Sequence, residues 1–111
     1  MVKNEENISL NTQAQDFRED IGIQILILRK KLNVKQYELA EAMQISNQTL
    51  SLIENGKKEL SRDLALRLYF VLERTVEEYK DTNSEAVNII VEFKTQFLLP
   101  YIVRLSKSIN L

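Results

Sequence analysis

Apolar residues recur at steps of three and four from early in the chain: Phe17, Ile21, Ile25, Leu28 and Leu32. That period puts them on one face of an α-helix. Asp16 followed by Glu19 supplies a capping start, and Asn33 suits a left-handed helix end. Ile23, Leu26 and Ile27 fall off the stripe. This first helix is therefore expected to touch a second surface, either the C-terminal segment or another subunit.

Two shorter helical patterns follow. Gln36 to Met43 forms a second helix with Tyr37, Leu39, Ala40 and Met43 as candidate inward residues. Gln44-Ile45-Ser46 interrupts it, and Ser46 is a good N-cap for a third helix, Asn47 to Glu54, with Leu50 and Ile53 on its buried face. Asn55-Gly56 is a helix stop, and Lys57, Lys58 and Glu59 read as an exposed loop. Ser61 caps a fourth helix carrying Leu64, Leu68, Val71 and Leu72, and Thr75-Val76-Glu77-Glu78 reads as a capping box that opens a short fifth turn.

A further box, Thr82 to Glu85, starts a last apolar segment with Ala86, Ile90, Phe93, Phe97, Tyr101 and Leu105 at helical steps. Val87, Val91, Leu98 and Ile102 line a neighbouring stripe. The β-branched run 87–91 would also suit a strand, but the period continues well past strand length, which favours helix. Pro100 is expected to kink or split that helix. The pattern divides the chain into an N-terminal arm without periodicity (1–15), a helical domain (16–80) and a C-terminal helical segment (81–111).

Composition narrows this further. Two Gly and one Pro are too few for the turns of a small sheet protein, so the chain reads as all-α. With no Cys and no His, disulfide staples, zinc fingers and Cys- or His-based catalysis are excluded, and no metal or cofactor is implied. No Gly-rich phosphate loop or carboxylate cluster suggests an enzyme. The polar N-terminus has no signal-peptide core, and no segment reaches the apolar length of a membrane span, so a cytoplasmic location is expected. Net charge is −1, but it is unevenly spread: residues 21–62 hold seven basic and four acidic groups. A local basic face matters more for DNA than the total.

Two short helices joined by a tight turn can seat the second in a DNA major groove while the first crosses the backbone. Such a unit needs a small residue where the helices touch, apolar anchors for the turn, and short polar groups facing outward. Ala40, then Ile45, Leu50 and Ile53, then Asn47, Gln48 and Ser51 fill these places. The string Arg29, Gln36-x-x-Leu39-Ala40, Ile45-Ser46-x-x-Thr49-Leu50-Ser51-x-Ile53-Glu54-Asn55-Gly56-Lys57 resembles the Cro/C1-type (XRE) helix-turn-helix family over roughly residues 18–80. The resemblance implies a five-helix phage-repressor-like DNA-binding domain, to which this chain adds an apolar C-terminal helix.

What it implies can be placed by residue. Asn47, Gln48, Ser51 and Leu52 fall at base-reading positions, where Asn or Gln pairs with adenine and an apolar group meets a thymine methyl. Gln36, Asn55 and Lys57 resemble backbone-contacting positions, and Lys58 and Arg62 join them on charge grounds. Arg29 and Glu54 stand where the family has a structural ion pair. Three positions depart from the pattern: Gln44 replaces the frequent turn Gly, Leu60 a frequent Pro, and Lys35 a frequent Thr.

The expected function is a sequence-specific DNA-binding transcriptional regulator, a repressor that binds a near-palindromic operator in double-stranded DNA as a homodimer. Ile90, Phe93, Phe97 and Tyr101 are the expected dimerisation residues; the alternative is that the segment folds back on helices one and five. The competing functional reading is an antitoxin or adaptor whose C-terminal helix grips another protein.

Overall fold

The structure, a computed structural model, describes residues 21–109. The expected arm over 1–15 and the helix start at Asp16, Phe17 and Glu19 lie outside the described residues. Those described form an all-α fold. Helix α1 is described over 21–32, followed by α2 (Gln36–Met43), α3 (Asn47–Glu54) and α4 (Arg62–Tyr79). The chain then runs through α5 (Ser84–Phe93), a π-helical turn (Lys94–Leu98) and α6 (Leu99–Ile109) as one unbroken rod.

The helix-turn-helix sits at the centre. α2 packs on α3 and α4, and α4 also packs on α5, the π turn and α6. A single core joins Ile21, Ile25 and Leu28 of α1 to Leu39, Ala40 and Met43 of α2, Leu50 and Ile53 of α3, and Ala65, Leu68 and Leu72 of α4. Tyr37, expected inward, is 57% exposed. It lies two residues before Leu39, about 200° around the helix, and so opposite the buried face.

α1 crosses α3 at close range. A Cβ on Gly22 would stand 2.1 Å from the Ile53 carbonyl oxygen, so only glycine permits this backbone approach. The turn from α1 ends on Asn33, left-handed at φ 58, and the turn from α2 ends on Gln44 at φ 62. Gln44 occupies the left-handed position that Gly would take without strain. Arg67 of α4 steadies that turn, donating from Nη1 to the carbonyls of Met43 (3.2 Å) and Gln44 (3.4 Å). A guanidinium at a helix C-terminus satisfies carbonyls that lack intrahelical donors.

Two expected boundaries move. Thr75 opens no new helix: α4 runs through it to Tyr79, and its hydroxyl donates back to the Val71 carbonyl at 2.9 Å. Helix α5 is capped not by Thr82 but by Asn83, whose side chain accepts from the Ala86 N–H at 3.1 Å.

The C-terminal rod explains how Pro100 is tolerated. Proline has no N–H to donate to the Gln96 carbonyl, and its ring needs room there. The preceding turn is π-helical, with the Leu99 N–H donating to the Lys94 carbonyl five residues back, so the helix is not split. Its buried positions are Ala86, Ile90, Phe93, Leu98 and Tyr101, and the one step of five falls on this turn. Leu98, assigned by periodicity to a side stripe, is thereby fully buried, while Phe97 is half-buried.

Ile90, Phe93 and Tyr101 are therefore corrected as dimerisation residues. All three are taken up by the chain's own core, and exposing them would cost the burial that holds the rod to α1 and α4. The stretch Ser84–Lys107, 24 residues long, also contains an 18-residue window of mean hydropathy 1.3, long and apolar enough by length and composition to cross a membrane, contrary to expectation. One face of it packs as core here, as in an amphipathic helix of a folded domain.

Candidate nucleic-acid interface

The recognition surface is built outward from the buried face of α3. Leu50 and Ile53 are fully buried and fix the helix's rotation about its axis. Ser46 caps its start, its Oγ accepting from the Thr49 N–H at 3.0 Å and donating to Thr49 Oγ1 at 2.8 Å. With the inner side pinned, Asn47 and Gln48 stand exposed in the first turn. Leu52, one turn beyond Gln48, is also exposed, as is Asn55. Ser51 is half-buried, and Asn55 Nδ2 approaches its Oγ at 3.4 Å. Gln48, Leu52 and Asn55 follow steps of four and three along the outward side, whereas Ser51 lies toward its edge.

Glu54 ends α3 and is its mechanical anchor. It is 3% exposed, and Arg29 of α1 is 7% exposed. Arg29 grips both carboxylate oxygens, Nε to Oε2 at 2.8 Å and Nη2 to Oε1 at 3.0 Å, while its Nη1 donates to the Val34 carbonyl at 3.1 Å. Gln36 Nε2 adds a third bond to Glu54, at 2.8 Å to Oε1. One carboxylate thus ties together α1, the start of α2 and the end of α3. Gln36, expected at the DNA backbone, commits one of its two amide N–H donors to this network. Lys35 just before it donates its backbone N–H to the Glu38 carboxylate at 2.8 Å.

Lys57 and Lys58 are exposed in the loop after α3. Their N–H groups both reach back to the Leu52 carbonyl, at 2.9 and 3.2 Å, closing the end of the recognition helix. Gly56 takes φ 75 in that closure. Arg62 starts α4 on the far side of the loop, and its Nε donates to Ser106 Oγ of α6 at 3.2 Å. Tyr101 of α6 holds the same loop by donating from its hydroxyl to the Leu60 carbonyl at 2.5 Å. Leu60, where the family often has Pro, is buried.

Sequence pattern missed Gly22, Arg67, Tyr101 and Ser106 as supports of this surface. Only Gly22 carried a signal, a glycine inside an apolar helical stripe. Lys94 went unnoticed as well: it pairs with Glu73 of α4 and sits 5.4 Å from the Tyr69 ring centroid. The hydrogen bond from Lys94 holds the Glu73 carboxyl below its ordinary value. Among the described residues no group of three His, Cys, Asp or Glu is placed to hold a metal ion.

A helix pinned by its inner side, presenting short amides outward beside lysines, is the arrangement that enters a major groove. Residues 25–69 match the model of a family described as helix-turn-helix. The match covers this segment alone, is of the Cro/C1 (XRE) type, and supports a DNA-binding helix-turn-helix regulator. No curated protein and no solved structure matches the chain.

Proposed function

We propose that the chain is a sequence-specific transcriptional repressor that binds a near-palindromic operator as a homodimer. The observation that carries this reading is the outward row of α3: Gln48 and Leu52 are exposed opposite the buried Leu50 and Ile53, with exposed Asn47 at the helix start. Asn47 and Gln48 read base edges, with Leu52 against a thymine methyl. Ser51 sits at the margin of that row and Asn55 at its C-terminal end. Lys57 and Lys58, with Gln36 and Arg62 beside them, meet phosphates. Two copies about a dyad set two such helices into successive major grooves, and operator symmetry mirrors protein symmetry. Repression follows from occupancy, because a seated dimer excludes other proteins from the same DNA.

The test is fluorescence anisotropy with the DNA upstream of the chain's own coding sequence. Gln48→Ala should cost about 1–3 kcal/mol and relax specificity at one base position. Lys57→Ala should weaken all sequences alike and lower the salt slope by about one. No binding at low salt would remove the proposal.

A further inference from the structure

The fold makes little use of Tyr37. It stands in the first turn of α2, 57% exposed, on the side opposite the buried Leu39. Among the described residues no group shares a hydrogen bond with its hydroxyl. Gln36, just before it, fixes where it lies. Nε2 of Gln36 meets Glu54 at 2.8 Å, so the start of α2 abuts the end of the recognition helix. Exposed Asn55, Lys57 and Lys58 follow Glu54 closely. Tyr37 and the lysine loop therefore flank one junction.

In a helix-turn-helix seated on DNA, the first helix crosses the phosphate backbone. Much of the hydrogen-bonding capacity at the start of α2 is already committed. One amide N–H of Gln36 goes to Glu54, and the Lys35 backbone N–H goes to the Glu38 carboxylate at 2.8 Å. Exposed Lys35 adds a positive charge there, whereas exposed Glu41, one turn along α2 from Tyr37, is acidic. A phosphate is thus repelled from the middle of α2 and met at its start. We propose that the Tyr37 hydroxyl donates to a phosphate oxygen of double-stranded DNA, with the ring against the adjoining deoxyribose. The contact rests on the DNA reading of α3 given above and extends that surface to the start of α2. Tyrosine is among the side chains that hold a protein in register on phosphates without reading bases.

Tyr37→Phe removes the hydroxyl and keeps the ring. Its Kd for the upstream duplex, read by fluorescence anisotropy, should rise about tenfold, for all sequences alike. The slope of log Kd against log salt should stay unchanged, because a neutral phenol releases no counterion, whereas Lys57→Ala lowers it. The unfolding midpoint should stay unchanged as well, the site being exposed. Nitration of the wild-type chain by tetranitromethane, mapped by peptide mass, should mark Tyr37 in the free chain and spare it in the DNA complex. A change in Kd below about twofold, or equal nitration with and without DNA, overturns the contact while the repressor reading stands. Weaker binding that comes with a lower unfolding midpoint assigns the hydroxyl to the fold and overturns it too. A wild-type chain that binds no upstream DNA removes both readings together.

Discussion

Replacing Arg29 with Met strips Glu54 of two of its three hydrogen bonds and leaves the Val34 carbonyl without the Nη1 donor. The carboxylate stays 3% exposed, with only Gln36 still donating to it. Removing one partner of a buried ion pair costs about 3–5 kcal/mol, because the remaining charge is desolvated and uncompensated. An exposed pair would cost no more than about 1 kcal/mol. Against a total stability of about 5–15 kcal/mol for a domain, the first figure is a large share. Urea unfolding followed by far-UV circular dichroism reads it directly. The double variant Arg29→Met/Glu54→Leu should recover most of the loss, since packed apolar side chains can replace a buried pair. A loss below about 1 kcal/mol for Arg29→Met would refute the claim that this pair clamps α1 to α3.

Gly22→Ala should lower stability by about 2 kcal/mol or more, measured as a fall in urea midpoint, because the new methyl would overlap the Ile53 carbonyl oxygen. Gln44→Gly should raise stability by about 0.5–1 kcal/mol in the same assay, as its left-handed backbone suits glycine and its side chain is exposed. Glu73 is held below its ordinary value of 4.5 chiefly by the hydrogen bond from Lys94. A depressed folded value stabilises the fold above the unfolded carboxylate range, and that stability is lost as pH falls through the folded value. Lys94→Met should therefore flatten the acid limb of a plot of thermal midpoint against pH below about 4.5, and an unchanged limb would contradict the assignment.

These perturbations fall on both sides of the line between local and tertiary information. Much of the helix-turn-helix was legible in the chain because its determinants are local. Ser46 before a helical run, Asn55-Gly56 after it, and Leu50 with Ile53 three residues apart set the ends and the inner face of α3 before any tertiary contact forms. Gln44 was singled out only because the family often has Gly there, and its left-handed backbone is a feature of the folded chain. Arg29 and Glu54 were paired from the family pattern, not from anything local.

Other features depended on residues far apart in sequence. The burial of Ile90, Phe93 and Tyr101 is decided by α1 and α4, which take up the rod's inner face, and periodicity cannot say whether an apolar face meets its own domain or another molecule. The π turn before Pro100 moved Leu98 inward and set Leu99 in line with Val91, a register change that a strict α period does not contain. Gly22 against Ile53, Arg67 on the end of α2, and Tyr101 on the loop at Leu60 are contacts across 23 residues or more. The local pattern determined the ends of α3 and which of its faces is buried. Only tertiary packing decided what holds that helix in place and which stripe of the C-terminal rod is left exposed, because both depend on which apolar faces find each other when the chain collapses.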